Sequence, residues 1–135
     1  MNKTNRRKFI ATAAAIGAVS AVSATPFHTK AKSKQLAHHV FFWLKNPGSM
    51  EDRDKLVEGV KTLSKIETIR KLHVGVLAST EKRDVVDTSW HVSELMFFDD
   101  LAGQDVYQTH PVHLAFIKNY GHLWDKVIVY DAMEV

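Results

Sequence analysis

Tyr107, His110, Pro111 and His113 place a phenol and two imidazoles around one proline. A tyrosine hydroxyl can donate to a developing oxyanion, and an imidazole that titrates near neutrality can accept a proton from carbon or oxygen. The segment is therefore a candidate acid/base site. On one uninterrupted helix, Tyr107 and His113 would point about 120° apart, because six residues do not complete whole turns. Spacing alone does not bring them together.

Pro111 changes this geometry, because proline is tolerated in the first turn of a helix and clashes inside one. The sequence predicts one short helix that ends near Thr109 or His110 and a second helix that begins at Pro111. The break allows the side chains of Tyr107 and His113 to converge. His110 is expected to serve the turn. At the start of the second helix, the helix dipole favours the neutral base form of His113.

The surrounding elements must hold this segment against a core. Residues 36–45 are rich in aromatic and β-branched residues, which predicts a buried strand. Ser49 begins a helix with Leu56, Val60 and Leu63 on one face. Two further strands, a helix that starts at Asp99 and a last strand complete a βαββαβ order, which indicates an α+β, ferredoxin-like unit. The predicted strands cover residues 36–45, 70–79, 88–98 and 126–135. Phe116, Tyr120 and Trp124 recur at helical spacing and predict a core stripe.

Strand alternation sorts the remaining histidines. His39, Phe41 and Trp43 share one face of the first strand, and His38 lies on the other face. His91 lies in the third predicted strand. A lone histidine on an apolar strand is more often a hydrogen-bonded core residue than a catalyst, so alternation alone assigns neither face to a ligand site.

Three segments together resemble the stress-responsive α/β-barrel family, often called Dabb. They are the Tyr107, His110, Pro111, His113 motif, the opening strand from Leu36 to Lys45, and the strand from Trp90 to Phe98. The resemblance spans roughly residues 35 to 134. It implies a ferredoxin-like βαββαβ unit that pairs with a second copy as a dimeric α+β barrel.

The resemblance also implies roles for individual residues. A plant member of the family performs an intramolecular aldol condensation on a linear polyketide, and its catalytic tyrosine and histidine match Tyr107 and His113. Two further pocket histidines of that enzyme match His39 and His91. Phe41 and Trp43 share the face of His39, so we expect them in the same substrate-binding pocket, where their bulk could also fill it. His38 is then assigned to the helix-covered side or to a strand end.

Residues 1–24 have the layout of a signal peptide. Basic residues and no acid precede an apolar run, and small residues end it at Ala24. Arg6 and Arg7, followed by Lys8, resemble the twin-arginine export consensus, and general secretion is the alternative. The apolar run is shorter than the roughly 20 residues that span a bilayer, so we expect no stable membrane anchor after cleavage. The sequence predicts a polar linker over residues 25–34 and the Dabb domain over residues 35–135. We expect the mature protein to be periplasmic or secreted.

The charge balance gives little support to nucleic-acid binding. The chain has 18 Lys and Arg against 15 Asp and Glu, and subtracting the four basic residues of the leader from 18 leaves 14 against 15. The mature chain is therefore close to neutral. It has no cysteine, so neither a disulfide nor a lipid-modified cysteine is possible.

Three hypotheses about function remain open. In the first, His113 removes a proton next to a carbonyl and Tyr107 stabilises the enolate oxygen, without a cofactor. In the second, a non-catalytic, stress-protective dimer sequesters a small hydrophobic or aromatic ligand. In the third, His39, His91 and His113 bind a metal or ligate haem. The sequence has no H-x-x-x-H pair, cysteine or acidic partner at ligand spacing, so we expect neither a metal nor a cofactor.

Overall fold

A computed structural model describes residues 32–135 of the chain. The predicted signal peptide, its cleavage site and most of the polar linker lie outside the described residues. The elements in chain order are β1 (Leu36–Leu44), α1 (Met50–Thr62), β2 (Ile69–Val76), β3 (Val92–Phe98), α2 (Leu101–Thr109), α3 (Pro111–Tyr120) and β4 (Trp124–Met133). Short 3₁₀ turns follow α1 and α3. No helix within residues 32–135 is long and apolar enough to cross a membrane.

The four strands form one antiparallel sheet in the order β2-β3-β1-β4. β1 lies at the centre, so that His38 pairs with Met96 of β3 on one side and with Asp131 of β4 on the other. This is the predicted ferredoxin-like α+β arrangement, in which helices cover one face of the sheet.

The core lies between the helices and the face of the sheet that carries the even-numbered residues of β1. Val40 and Phe42 are buried there, and Leu56 and Val60 of α1 pack in the same cluster. The predicted helix face and the predicted stripe from Phe116 to Trp124 both belong to this core. Burial alternates along β1 because successive side chains point to opposite faces.

The odd-numbered residues of β1 lie on the opposite face of the sheet, which we call the open face. His39 and Phe41 are only partly buried there, and Tyr130 of β4 lies beside Phe41 with ring centroids 6.1 Å apart. Within residues 32–135 the helices pack on the other side, so the apolar side chains of the open face remain accessible to solvent.

The break between α2 and α3 falls at the predicted position. His110 is extended, with φ of −64° and ψ of 136°, as expected for a residue before proline. Its Nδ1 accepts a hydrogen bond from the Val112 N–H at 3.1 Å, and its Nε2 lies 3.1 Å from Glu67 Oε2. His110 therefore caps α3, which confirms its predicted role in the turn.

The strand that was predicted to include His91 is shorter than expected and does not reach it. β3 begins at Val92 and not at Thr88. His91 precedes the strand, where its N–H donates to the Phe42 carbonyl and its Nδ1 accepts from the Leu44 N–H. These bonds hold the end of the sheet together.

Gly59 sets the distance between α1 and α3. A Cβ atom at this position would lie 2.6 Å from Cγ of Tyr120, closer than real contacts allow. We expect Gly59→Ala to lower the free energy of unfolding, because overpacking costs about 1–3 kcal/mol while alanine gains about 1 kcal/mol in helix propensity. Urea denaturation followed by circular dichroism would measure the difference.

Gly48→Ala is the matched control, because nothing lies within 4 Å of a Cβ atom at that position. Its stability should stay within about 0.5 kcal/mol of the parent chain. In a Tyr120→Leu background the cost of Gly59→Ala should shrink, since the ring that it meets is gone. An undiminished cost there would contradict this packing.

Candidate functional site

A cavity of about 320 Å³ lies between the sheet and the two helices on either side of Pro111. Its volume is within the range of small-molecule sites. The cavity is lined by His38, Val40, Phe42, Glu94, Tyr107, Gln108, His113, Phe116, Ile117, Trp124, Val127 and Val129. Ile117, Val127 and Val129 are exposed and mark its mouth beside the edge strand β4.

Tyr107 and His113 meet in this cavity. Their ring centroids are 4.3 Å apart, although α2 carries the tyrosine and α3 the histidine. The break at Pro111 therefore brings the two side chains together, as the sequence predicted. The Tyr107 side chain is buried, with the residue only 2% exposed.

His113 is arranged as a neutral base. Its Nδ1 lies 3.0 Å from the backbone carbonyl oxygen of Gln108. A carbonyl oxygen only accepts, so Nδ1 carries the hydrogen and Nε2 keeps its lone pair in the neutral ring. Burial lowers the pKa of His113, the Gln108 hydrogen bond opposes this, and nearby His38 lowers the pKa further. The net lowering of the pKa favours the uncharged imidazole.

Tyr107 is arranged as a donor. Its hydroxyl donates to Oε1 of Glu94 at 3.3 Å. Burial raises the pKa of Tyr107, and the neighbouring Glu94 raises it further. The phenol therefore stays protonated and can give a hydrogen bond, but does not act as a base.

Glu94 is a site residue that the sequence analysis did not single out. It is 1% exposed, and burial raises its pKa to about 8 against the opposing hydrogen bond from Tyr107. A signal was present in the sequence: Glu94 alternates with Val92 and Met96 on one face of an otherwise apolar strand. An acid on a buried face is unusual unless it is paired or neutral.

His38, and not His39, is the strand histidine in the cavity. It is 3% exposed, its ring centroid lies 5.5 Å from that of Tyr107, and its Nδ1 is 2.6 Å from Asp131 Oδ1. Neighbouring residues of a strand point to opposite faces, so His38 and His39 cannot both face the cavity. His38 thus lies on the helix-covered side, as the resemblance implied, whereas His39 lies on the open face and does not line the cavity with Tyr107 as expected.

Phe41 and Trp43 follow His39 onto the open face. The rings of His39 and Phe41 are 4.2 Å apart, and Trp43 donates to Ser89. Burial lowers the pKa of His39, with smaller contributions from His73 and His38. The predicted substrate-binding residues of β1 thus form a separate environment on the far side of the sheet.

His91 also lies apart from Tyr107 and His113. It lines a smaller cavity of about 180 Å³ together with Leu44, Met50 and Arg53. Its Nδ1 is occupied by the Leu44 N–H. Among residues 32–135, no group of three or more His, Cys, Asp or Glu side chains is placed to hold a metal ion.

Solved structures show the same fold. A Dabb family protein with a ferredoxin-like fold from Mesorhizobium loti is 24% identical, and the match covers 76% of this chain and 99% of that one, with a TM-score of 0.61. A dimeric protein with a ferredoxin-like fold from Bacteroides fragilis is also 24% identical, covering 73% and 95%, with a TM-score of 0.58. A hydroxynitrile lyase from Passiflora edulis is 17% identical, covering 76% and 94%, with a TM-score of 0.63.

These similarities support the fold and do not by themselves assign a reaction. Among curated proteins, none matches this chain. The model of the stress responsive A/B barrel domain matches residues 36–134, which is most of the chain. The chain therefore belongs to the stress-responsive A/B barrel, or Dabb, family.

Proposed function

We propose that the cavity binds a small hydrophobic or aromatic ligand, on which Tyr107 and His113 perform acid/base chemistry without a cofactor. One observation carries the proposal: the ring of His113, whose Nε2 is free of the Gln108 bond, has its centroid 4.3 Å from that of the buried Tyr107 ring in a cavity between sheet and helices. A general base within reach of a positioned donor is the arrangement that proton abstraction requires.

In this proposal the ligand carries a carbonyl group. His113 Nε2 takes a proton from the carbon next to the carbonyl, and the electron pair of that C–H bond moves to form the enolate. The Tyr107 hydroxyl donates to the enolate oxygen, where charge develops. The enolate carbon can then attack a second carbonyl of the same molecule, as in an aldol cyclisation. The π electron pair of that carbonyl moves to its oxygen, which takes the proton back from His113 Nε2 and becomes a hydroxyl. The Passiflora edulis neighbour is named a hydroxynitrile lyase, and at 17% identity it supports the fold alone.

The alternative is a non-catalytic dimer that sequesters the ligand. The same cavity serves both functions, so turnover separates them. A bound probe whose carbon-bound hydrogens do not exchange would favour sequestration.

The probe for this test is acetophenone, whose methyl hydrogens exchange with D₂O through the enolate. We expect the protein to accelerate this exchange, and proton NMR would measure the rate. His113→Asn should lower the accelerated rate by about 100-fold or more, because a positioned base contributes that much. Asparagine can still donate to the Gln108 carbonyl but offers no base, so probe binding should persist.

The exchange rate should fall as the pH is lowered through the pKa of His113, because the protonated imidazole cannot accept a proton. Burial places that pKa below the ordinary value.

Tyr107→Phe should also slow exchange, but it removes the hydrogen bond to Glu94 and should cost about 1–3 kcal/mol of stability. Exchange that is unchanged in His113→Asn would exclude His113 as the base.

We also propose that the open face is the interface of a homodimer. Phe41, Tyr130 and Leu95 place apolar side chains on one continuous surface of adjacent strands. An apolar sheet face of this kind is typically covered. The Bacteroides fragilis neighbour with the same fold is described as dimeric.

Light scattering on the chain that begins after Ala24 should give the mass of a dimer. Tyr130→Glu should shift it toward monomer, because the substitution places a charge on the open face, where Tyr130 is 61% exposed. Val85→Glu is the control, since Val85 is 84% exposed in the connection before β3 and off the sheet. A monodisperse monomer that does not bind a hydrophobic dye would contradict the dimer.

Export through the twin-arginine route is the last part of the proposal. It rests on the Arg6-Arg7 pair ahead of the apolar run. Replacing both residues with lysine should retain the precursor inside the cell, because the twin-arginine route requires the arginine pair. General secretion would tolerate the change, since it depends on positive charge and hydrophobicity. Lys3→Arg is the control outside the pair. Mass spectrometry of the exported fraction would detect a chain that begins near Thr25, and undiminished export of the double variant would exclude dependence on the pair.

A further inference from the structure

Glu94 has a carboxyl oxygen that the fold leaves without a partner. Oε1 accepts the hydrogen bond from Tyr107, whereas Oε2 is buried and has no hydrogen-bond partner among residues 32–135. Buried polar atoms in native proteins are nearly always paired, so an exception calls for an explanation. Glu94 lines the cavity, and a bound molecule is therefore a candidate partner.

The ionisable groups around Glu94 favour its neutral form. Tyr107 faces it from α2, His113 from α3 and His38 from β1, and Asp131 of β4 pairs with His38. On β2 the neighbour of Glu94 is Val74, which has no ionisable group. The described residues that line the cavity include no lysine or arginine that would stabilise a carboxylate. Ionised Glu94 would therefore be a buried charge with the Tyr107 hydrogen bond but no lysine or arginine partner among the cavity lining.

We infer that Glu94 is held as a neutral carboxylic acid and that its O–H, together with the hydroxyl of Tyr107, donates to the oxygen of an uncharged carbonyl ligand. This inference rests on the proposed carbonyl-ligand cavity, and it adds Glu94 as a second donor to the ligand oxygen and the requirement that the ligand be uncharged. The Tyr107 bond to Glu94 is 3.3 Å long, against about 2.7–2.8 Å for a strong O–H···O bond. The phenol can therefore exchange this weak bond for the ligand oxygen. A buried acid beside a tyrosine is an effective pair of donors to a developing oxyanion.

The two donors also determine which ligands are excluded. A carboxylate would enter a cavity with no cationic lysine or arginine among its described lining residues, and would lose its hydration without an ion pair. A hydrocarbon of the same shape would leave the Glu94 O–H unpaired and would not replace the weak Tyr107 bond with a better one. Ketones or aldehydes with an apolar body fit both constraints.

Infrared spectroscopy tests the protonation state without any ligand. The difference spectrum between the parent chain and Glu94→Gln should show a protonated carboxyl C=O band at neutral pH. The band should disappear as the pH rises through about 8, the value to which burial raises the pKa of Glu94. A carboxylate signal at neutral pH, with no protonated band, would overturn the inference whatever the ligand.

Thermal unfolding provides a second reading of the same state. The fold raises the pKa of Glu94 from its ordinary value of 4.5 to about 8. Between these two pH values native Glu94 holds a proton that the unfolded chain has released. Its contribution to stability should therefore fall as the pH rises from about 4.5 to about 8. Glu94→Gln should lack this decline, and its melting temperature should rise relative to the parent across that window. Parallel curves would count against a neutral Glu94.

Binding of three matched probes tests the donor role. We expect acetophenone, labelled with ¹³C at its carbonyl, to show a downfield shift when bound, because hydrogen-bond donation polarises the carbonyl. Glu94→Met should weaken acetophenone binding by about tenfold, the size of one lost hydrogen bond. Glu94→Gln keeps an N–H donor and should stay within about threefold of the parent.

Ethylbenzene has the same shape without an oxygen, so its binding should not fall in Glu94→Met. Benzoate should bind more weakly than acetophenone.

The outcomes separate this inference from the proposed function. If acetophenone and ethylbenzene both fail to bind the parent chain, the proposed cavity function fails, while the infrared band still reports the state of Glu94. If acetophenone binds Glu94→Met as tightly as the parent with the same ¹³C shift, Glu94 is not a donor although the cavity binds ligands. Should Glu94→Met fail to fold, the comparison of Glu94→Gln with the parent in the infrared and thermal experiments still decides whether Glu94 is neutral.

Discussion

The break at Pro111 is the constraint on which the site depends. Proline cannot continue α2, so the chain turns at His110 and begins α3 in a new direction. Without that turn, Tyr107 and His113 would diverge around one helix axis. The turn is fixed locally by the His110 cap, and the far end of α3 is fixed where Tyr120 covers Gly59. Both ends of α3 are thus anchored, which holds the imidazole against the phenol.

Burial gives the cavity its chemical character. The same loss of hydration raises the pKa values of Glu94 and Tyr107 and lowers that of His113. All three groups therefore favour their uncharged forms, although two are acids and one is a base. An uncharged set can donate and accept hydrogen bonds without the cost of a buried ion. Neutrality keeps a base and its neighbouring donors compatible within one apolar cavity.

The sequence predicted the fold and the convergence of Tyr107 with His113, because periodicity and a proline are local signals. It did not predict that His38 enters the cavity in place of His39. The resemblance assigned His38 to the helix-covered side, where it lies, but it implied a ligand pocket on the face of His39. Alternation separates the two faces, and only tertiary packing decides which of them borders a cavity. Glu94 was missed for a related reason: its buried position depends on the same choice of face. His91 was misplaced because its hydrogen bonds to β1 lie beyond the end of the β3 ladder, a boundary that sequence patterns locate poorly.

The edge strand β4 connects the two faces of the sheet. Val127 and Val129 border the cavity and Asp131 binds His38, while Ile128 and Tyr130, between them in sequence, lie on the open face. An edge strand is paired on one side only, so its position depends on what covers its faces. In the proposed dimer the partner would cover Ile128 and Tyr130, and would thereby steady the residues that alternate with them. Asp131 orients His38, and the ring of His38 packs against Tyr107. Dimerisation on one face would then support the geometry of the cavity on the other, through backbone that the two faces share.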